Sequence, residues 1–295
     1  MKNRIKKIIK KILKIVIKPF QRVSYINNNV YNGELLNGRT ALITGGTSGI
    51  GLAIAESFLK NGCDVAITGR TQEKIDKVVN ELKKNKEYKN RNIYGFEFDI
   101  VDTENIESNF EKIKNEIKNN IDILVNNAGV IRGKNIGETE IDEYETCLKT
   151  NLEGTYFLSQ TFFNYLKSKK IKGNILNVCS SSSMRPAVKP YTLTKWGLKG
   201  LTIGMAKKFI EHGIVVNGIA PGPTYTPMLV GDDVNEKDIK LDSNPSGRYT
   251  TPEEIANGAL FLVSDMGKMV VGDIMYMTGG AGIVTVDDIE YWESY

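Results

Sequence analysis

Residues 40–51, TALITGGTSGIG, decide the fold of this chain, and residues 52–62, LAIAESFLKNG, continue it. The apolar run predicts a buried strand, the glycines a turn, and the second stretch a helix. Gly45 turns the chain out of the strand, Gly49 lets backbone N–H groups approach a pyrophosphate, and Gly51 lets helix and strand pack closely. The helix N-terminus then faces the phosphates. A tight turn without ligand is the alternative, and the position directly after the first strand favours dinucleotide binding.

Apolar runs and helical periods alternate beyond this turn. In residues 103–120, for example, Ile106, Phe110, Ile113 and Ile117 recur at helical spacing. Consecutive apolar positions are typical of strands covered on both faces. The predicted strands are Arg39–Thr44, Asp64–Thr68, Asn92–Asp99, Ile121–Asn126, Gly173–Cys179, Gly213–Ala220 and Gly272–Met277. This alternation predicts a single-domain α/β fold with a doubly wound parallel sheet of Rossmann type over residues 35–284.

The end of the second strand bears on which dinucleotide binds. Sites for NAD usually place Asp or Glu there to accept hydrogen bonds from the ribose hydroxyls. This strand ends Ile67-Thr68-Gly69-Arg70. Because a guanidinium suits a 2′-phosphate, Arg70 favours NADP(H). NAD(H) stays open as the alternative, since a single arginine is also common on a solvated surface.

Tyr191 and Lys195 lie one helical turn apart, in a stretch that begins just after Pro190. A free tyrosine has a pKa of ~10, and a neighbouring ammonium favours the phenolate, so the pair suits acid–base chemistry. The fifth predicted strand delivers Ser180–Ser183 at its carboxyl end, where parallel sheets bind ligands. A serine hydroxyl there can bind a substrate carbonyl, whereas Ser181 and Ser183 fit a polar turn.

Together these stretches resemble the short-chain dehydrogenase/reductase family of the simple single-domain type, over roughly residues 35–284. The matching stretches are TGGTSGIG at 44–51, Asp99, NNAG at 126–129, KTNLEG around Asn151, the serines, YTLTK at 191–195, APGPTYTPM at 220–228 and TGG at 278–280. The resemblance includes 3-oxoacyl-(acyl-carrier-protein) reductases and gluconate or polyol dehydrogenases. It implies an NAD(P)-dependent oxidoreductase acting on CH–OH groups.

The resemblance also implies roles for individual residues. Tyr191 would exchange the proton, Lys195 would assist it and bind the nicotinamide ribose, Ser180 would polarise the carbonyl, and Asn151 would hold the water of a proton relay. The implied cofactor-binding residues are Gly45, Thr47, Ser48, Gly49, Ile50, Gly51, Arg70, Asp99, Ile100, Asn127, Ala128, Gly129, Tyr191, Lys195, Pro221, Gly222, Thr224 and Thr226.

One feature departs from the family pattern. Ser180 precedes Tyr191 by 11 residues, where many members have 13, so Ser182 is a second candidate. Two other functions stay open on the same fold: a sugar-nucleotide-modifying enzyme, and a non-catalytic NADP sensor. The short chain after the PG motif disfavours the first, and the presence of both Tyr191 and Lys195 disfavours the second.

Composition excludes other chemistries. Three widely spaced cysteines, with no CxxC, predict no disulfide framework and fit a reducing cytoplasm. With one histidine, His212, the sequence predicts no metal site, and we expect His212 to be a surface residue near a helix end. The acidic, polar stretch between Thr226 and Arg248 favours a small polar or sugar-like substrate over a steroid or a long acyl chain.

The net charge of +4 is unevenly distributed. Residues 1–33 carry nine basic residues and no acidic one, which leaves the rest of the chain at −5. The slightly acidic body argues against nucleic acid as a partner. Residues 1–19 predict a basic amphipathic helix, followed by a linker at 20–34, and residues 285–295 form a tail. Peripheral contact of residues 1–18 with the cytoplasmic membrane face is one interpretation, and packing on a partner subunit or on the body is the other. The resemblance also implies a homodimer or homotetramer.

Overall fold

A parallel sheet forms the centre of the structure, a computed structural model that describes residues 33–231 and 239–282. Its strands are β1 (Thr40–Ile43), β2 (Asp64–Gly69), β3 (Ile93–Glu97), β4 (Ile123–Asn126), β5 (Gly173–Val178), β6 (Ile214–Pro221) and β7 (Ile274–Met277). They are paired in the order β3-β2-β1-β4-β5-β6-β7, and every pair is parallel. Each of the seven predicted strands is present, with its ends shifted by at most two residues.

Helices connect the strands and cover both faces of the sheet. They are α1 (Gly49–Lys60), α2 (Gln72–Lys84), α3 (Ile106–Glu116), α4 (Ile141–Leu148), α5 (Gly154–Lys169), α6 (Pro190–Phe209), α7 (Pro227–Val230) and α8 (Pro252–Val263). One turn of π-helix, Lys149–Glu153, joins α4 to α5. The predicted doubly wound α/β fold is confirmed.

The core lies in two layers because successive strand residues point to opposite faces. Ile43 packs with Phe58 of α1 on one side of the sheet. Leu42, its neighbour in β1, packs with Phe110 of α3 and Phe162 of α5 on the other. All five of these side chains are fully buried. The continuous apolar run of β1 is therefore required by the two helical layers.

The strand order reverses between β1 and β4, and this position fixes where ligands bind. All strands are parallel, so their carboxyl ends meet at one edge of the sheet. At a reversal, the loops after the two strands diverge and leave a crevice. The loops at residues 44–49 and 127–129 flank this crevice, and the loops after β5 and β6 extend it.

Two expectations need correction. The helical period in residues 103–120 gives a helix only from Ile106 to Glu116, because Ile117 takes extended backbone as the chain turns towards β4. His212 ends a 3₁₀ turn before Gly213 as expected for a helix end, but its ring is half-buried and packs edge-on against Phe163 at 5.4 Å.

The predicted basic helix at 1–19 and tail at 285–295 lie outside the described residues, as does almost all of the linker at 20–34. Residues 232–238, in the polar stretch after Thr226, also lie outside them. The helices of the described part are too short or too polar to cross a bilayer.

Candidate active site

A cavity of about 620 Å³ opens at the carboxyl edge of the sheet, above the reversal of strand order. All but two of the predicted site residues line it, although they come from loops spread over 180 residues of sequence. The exceptions are Asn151 and Gly51, which lie behind the wall. The structure therefore brings the predicted cofactor-binding and catalytic residues into one continuous space.

The glycine loop, residues 44–51, forms the floor of this cavity. Gly45 and Gly49 adopt φ angles of 63° and 54°, a region that favours glycine. A Cβ on Gly51 would collide with the Asn127 amide nitrogen and the Gly45 carbonyl oxygen. Gly51 thus serves close packing, as the glycine pattern predicts, and it does not line the cavity, although the resemblance also implied it among the cofactor-binding residues. A Cβ on Gly49 would lie 3.3 Å from the Thr226 methyl group, so the chain after β6 closes over the loop.

Hydrogen bonds join the glycine loop to the loop that follows β4. The Thr44 hydroxyl accepts from the backbone N–H groups of Asn127 and Ala128, both at 3.0 Å. In return, the Asn127 amide donates to the carbonyl oxygens of Thr44 at 2.9 Å and Gly45 at 3.0 Å. The two walls of the crevice are thereby held at a fixed separation.

The N-terminus of α1 is open towards the cavity. Its N-cap residue, Ser48, makes no side-chain capping bond, and no acidic residue stands in its first turn. The first N–H groups of a helix lack partners within the helix, and together with the helix dipole they attract anions. Thr47, Ser48, Gly49 and Ile50 all line the cavity at this end.

Two cations and one carboxylate line the far end, where β2 and β3 stop. Arg70 follows β2, Lys74 lies in the first turns of α2, and Asp99 follows β3. Asp99 also accepts a hydrogen bond from the Val101 N–H at 3.2 Å, which shapes the turn around it. Lys74 was not predicted from the sequence. Its spacing from Arg70, one turn into the following helix, is the signal that could have found it.

Tyr191 and Lys195 lie in the first turns of α6, and both line the cavity. Pro190 occupies the first helical position, where its missing N–H costs no hydrogen bond. The Lys195 ammonium nitrogen lies 5.6 Å from the centre of the Tyr191 ring and donates to the Val178 carbonyl at 2.8 Å. Lys195 is 6% exposed, so this buried ammonium is anchored to the end of β5 beneath the ring.

Ser180 directly precedes a 3₁₀ turn, Ser181–Met184, that follows β5. Its hydroxyl oxygen accepts from the Ser182 N–H at 3.1 Å, which leaves its own proton free to be donated. Ser183 faces away from the cavity, and its hydroxyl donates to the Ser180 carbonyl at 2.8 Å. Ser183 thus serves the turn, as expected, whereas Ser181 and Ser182 both line the cavity.

Asn151 lies behind the cavity wall, and its role in holding the water of a proton relay to Lys195 stays a prediction. It lies in the π-helical turn, is 1% exposed, and its Oδ1 accepts from the Val130 N–H at 2.8 Å. Its amide donates to the Val130 carbonyl at 2.9 Å and to the Thr194 hydroxyl at 3.1 Å. Thr194 in turn donates to the Tyr191 carbonyl at 2.7 Å. Asn151 is thus linked to the Tyr191 backbone through the Thr194 hydroxyl, on the side away from the cavity.

Several cavity residues were missed by the sequence analysis. Besides Lys74 they are Thr44, Thr68, Gly69, Phe98, Val101, Val130, Ile131, Thr146, Thr150, Val178, Cys179, Ser181, Arg185, Pro223, Pro227, Met228 and Leu229, none of which was given a site role. Most of them are apolar or small, and apolar residues in short loops carry no signal of the cavity they face. Arg185 is the exception: a charged residue that ends the serine turn.

The cysteines near the cavity are poor nucleophiles. Burial raises the pKa of Cys179 to about 11, although Lys195 counteracts it. Burial also raises the pKa of Cys147, whose sulfur accepts from the Asn151 amide. Both thiols are therefore protonated at neutral pH, and thiolate chemistry is disfavoured. His212 does not line the cavity, and the described residues hold no cluster of three or more His, Cys, Asp or Glu side chains that could bind a metal.

Comparison with known proteins identifies the family. The model of the short chain dehydrogenase family matches residues 39–237. The chain belongs to the short-chain dehydrogenase/reductase family. Its members are NAD(P)-dependent oxidoreductases that act on CH–OH or keto groups.

Curated relatives match this chain over nearly their whole length. A 3-oxoacyl-(acyl-carrier-protein) reductase of Aquifex aeolicus (strain VF5) is 35% identical over 249 residues, which is 83% of this chain and 98% of the relative. A gluconate 5-dehydrogenase of Gluconobacter oxydans (strain 621H) is 32% identical over 250 residues, which is 83% of this chain and 95% of the relative.

A solved structure is similar in both fold and sequence. It is a gluconate 5-dehydrogenase from Burkholderia cenocepacia J2315 in complex with NADP and tartrate, with a TM-score of 0.76 and 29% identity. The match covers 86% of this chain and 99% of the other. The short-chain dehydrogenase/reductase fold therefore accounts for the sheet, its flanking helices and the loops at the crevice.

Proposed function

We propose that this chain is an NADP(H)-dependent oxidoreductase that interconverts a secondary alcohol and a ketone on a small, polar, sugar-like substrate. One observation carries the proposal: Tyr191, Lys195 and Ser180 line the same cavity as the glycine loop. A proton-transfer group and a carbonyl-binding hydroxyl thus share one space with a dinucleotide cradle.

The residues present fit a dinucleotide. Gly45 and Gly49 leave out the side chains that would fill the floor, and the α1 N-terminus lacks a carboxylate that would repel phosphate. The cavity runs from Arg70 to Tyr191, so one elongated ligand can contact both ends. When bound, NADP(H) supplies or accepts the hydride. Side chains of this protein are proposed to bind the carbonyl and to transfer the proton.

Three residues are proposed to bind the substrate carbonyl and to transfer the proton. The Ser180 hydroxyl, whose oxygen already accepts from Ser182, donates a hydrogen bond to the substrate oxygen, keeps its proton and polarises the C–O bond. The Tyr191 hydroxyl gives a proton to that oxygen in reduction and takes one in oxidation. The Lys195 ammonium, 5.6 Å from the centre of the Tyr191 ring, places a positive charge beside the proton-transfer group.

We propose Asn151 as a positioning residue and not as a group that touches substrate. Its hydrogen bond to Thr194, and that of Thr194 to the Tyr191 carbonyl, hold the first turn of α6 against the backbone at Val130. Since Tyr191 begins this turn, the arrangement fixes the direction of its ring. Proton transfer requires the Tyr191 hydroxyl within hydrogen-bond reach of the substrate oxygen, about 2.6–3.2 Å.

The proposed preference for NADP(H) rests on Arg70 and Lys74. Both line the adenosine end of the cavity, and together they present two positive charges to a 2′-phosphate. Asp99 lies after β3, where the adenine is expected, and we assign Ile100, Asn127, Ala128 and Gly129 to the adenosine ribose and its surroundings. Pro221, Gly222, Thr224 and Thr226 are assigned to the nicotinamide end.

A small polar substrate is supported by the polar stretch after Thr226 and by the relatives named for gluconate. Both Tyr191 and Lys195 line the cavity, which disfavours a non-catalytic sensor. A spectrophotometric assay tests the proposal: NADPH and NADH oxidation over a panel of sugar acids, ketoses, 3-oxoacyl thioesters and a ketosteroid. Turnover with NADPH and a sugar-like ketone is expected. Strict NADH use, or turnover of the ketosteroid alone, would contradict it.

We further propose peripheral membrane contact through residues 1–18. The observation is their sequence, in which apolar residues repeat at helical spacing among seven lysines and one arginine. Liposome co-sedimentation should pellet the full-length chain with anionic vesicles but not with neutral ones, and should not pellet a variant lacking residues 1–19. Equal pelleting of both proteins would remove the proposal. A homodimer or homotetramer is also proposed, and sedimentation velocity would reveal its mass.

A further inference from the structure

Five charged side chains line the main cavity within the part of the chain that the structure describes: Arg70, Lys74, Asp99, Arg185 and Lys195. Arg70, Lys74 and Asp99 follow β2 and β3, at the adenosine end. Lys195 is buried and donates to the Val178 carbonyl. Arg185 alone stands beside the serine turn, on the side of the cavity where the reacting carbonyl is proposed to bind.

The backbone of Arg185 is held from two sides. Its N–H donates to the Ser182 carbonyl at 3.1 Å, and its carbonyl accepts from the Trp196 indole N–H at 2.8 Å. Trp196 lies on α6, one residue after Lys195. The turn is also held at its start, where the Ser183 hydroxyl donates to the Ser180 carbonyl. Arg185 is therefore attached to the same rigid unit as Ser180 and Tyr191.

The guanidinium itself has no hydrogen-bond or ion-pair partner among residues 33–231 and 239–282. No carboxylate of those residues lines this side of the cavity. An unpaired guanidinium presents five N–H donors in a planar fork, which matches a carboxylate or phosphate. The guanidinium can therefore bind an anion, since no carboxylate of the described residues competes for it.

The position also limits which atoms of a substrate the guanidinium can contact. The 3₁₀ turn Ser181–Met184 lies between Ser180 and Arg185, and five residue steps at a rise of ~2.0 Å correspond to about 10 Å along the chain. The guanidinium therefore suits a group several carbon atoms from the reacting carbon, and not the carbonyl oxygen.

We infer that Arg185 binds an anionic group of the substrate, so that the substrate class is a hydroxy acid or keto acid with its carboxylate, or a phosphate, several carbons from the carbinol. This inference rests on the proposed function, because it places the carbonyl between Ser180 and Tyr191. It narrows the substrate from any polar, sugar-like compound to an acidic one. Arg185 acts as a specificity residue and takes no part in proton transfer.

Paired substrates test the inference in the full-length chain. 5-Keto-D-gluconate and L-sorbose carry the same ketone and hydroxyl pattern and differ in one carboxylate against one hydroxymethyl group. Loss of a charge-assisted hydrogen bond lowers affinity by roughly 10–100-fold. We expect Arg185→Ala and Arg185→Gln to lower kcat/KM for 5-keto-D-gluconate by that factor and to leave L-sorbose within about 3-fold. Arg185→Lys should recover part of the loss, since it keeps the charge but not the fork.

Lys189→Ala is the matched control. Lys189 is exposed in the same connection to α6, and it does not line the cavity. Its removal changes the net charge by the same amount and should leave both substrates unaffected. Equal losses on both substrates in the Arg185 variants would show that the guanidinium serves the structure of the chain and not the substrate carboxylate, and would overturn the inference.

Direct binding separates this inference from the proposed function. Titration calorimetry of tartrate into the NADP⁺-loaded chain should show binding that weakens at least about 10-fold in Arg185→Ala. L-Threitol, the neutral analogue, should bind all variants equally. Arg185-dependent tartrate binding without turnover of any carbonyl would remove the proposed function and keep the anion site. Tartrate that binds wild type no better than L-threitol, or binds the variants equally well, would remove the anion site.

Discussion

The two halves of the cavity are built in different ways. The cofactor half comprises the glycine loop, residues 127–129, and Arg70, Lys74 and Asp99. It is shaped by backbone, through positive φ angles, a close-packed Gly51 and reciprocal hydrogen bonds between Thr44 and Asn127. The substrate half comprises the turn Ser180–Arg185, Tyr191, Met228 and Leu229. It is shaped by side chains that differ in size, charge and exposure.

This difference explains why short sequence motifs mark the cofactor half but not the substrate half. A backbone cradle for phosphate tolerates few residue types, because a Cβ in the wrong place closes it. A pocket lined by side chains can be rebuilt with many combinations. Met228 and Leu229 lie in the wall of the cavity, in the stretch after Thr226, but their residue types do not identify the substrate. Cofactor class can therefore be inferred from sequence sooner than substrate class.

The largest effect is expected from Tyr191→Phe, in the substrate half. Removing the hydroxyl removes the proposed proton donor, and turnover should fall by about 10²–10⁴-fold. NADPH affinity, followed by the change in cofactor fluorescence, should stay within about 3-fold, because the ring is retained. Tyr156→Phe is the control, since Tyr156 is exposed on α5 and does not line the cavity. Undiminished turnover in Tyr191→Phe would refute the role.

A methyl group at Gly51 tests whether the cofactor half depends on backbone packing. The new Cβ would collide with the Asn127 amide nitrogen and the Gly45 carbonyl, so the loops must separate. Overpacking of this kind costs about 1–3 kcal/mol, and the Kd for NADPH should rise at least tenfold as the loop moves. Gly200→Ala, where a Cβ meets nothing within 4 Å, should leave NADPH binding unchanged. Normal NADPH binding in Gly51→Ala would mean that the loop is adaptable.

The double variant Arg70→Ala/Lys74→Ala tests whether side chains in the cofactor half select NADPH over NADH. We expect kcat/KM with NADPH to fall by about 10–100-fold, and with NADH to change by less than about 3-fold, because only the former has a 2′-phosphate. Lys83→Ala, at the other end of α2, removes one exposed charge away from the cavity as a control. An equal loss with both cofactors would point to the pyrophosphate instead.

The smallest effect is expected at Glu254 in the first turn of α8, which follows the polar stretch after Thr226. Hydrogen bonds from Arg248 and from the Thr251 N–H hold the pKa of Glu254 at about 2, below its ordinary value of 4.5. A lowered folded-state pKa gives stability that is complete above pH 4.5 and is lost as the pH falls towards 2.

Glu254→Gln isolates the charge, because glutamine can still complete the capping box with Thr251. The pair is partly exposed, so we expect a loss of no more than about 1 kcal/mol at pH 7. Thermal unfolding at pH 7 and pH 3 measures it, and the difference from wild type should shrink at pH 3. Glu253→Gln, on the exposed side of α8, is the control. A loss that is equal at both pH values would assign the effect to packing.

Most of the sheet could be predicted because its strands are buried on both faces, so that their apolar runs stand out at every register. The end of α3 could not: Ile117 keeps the helical period but leaves the helix, because the chain must turn to enter β4. Among the site residues, Gly51 was predicted in its packing role. Asn151 was predicted for a proton relay, but its side-chain bonds to Val130 and Thr194 were not, since these partners come from distant parts of the chain.

The sequence by itself determined the family, the order of strands and helices, the glycine loop and the Tyr191–Lys195 pair, because each depends on spacing within one element or one turn. Tertiary structure alone decided the rest. It brought the glycine loop, the loop after β4 and the Tyr191–Lys195 pair to one cavity, and it bonded the Asn151 side chain to Val130 and Thr194. These depend on contacts between segments far apart in the chain, and local patterns carry no information about which segments meet.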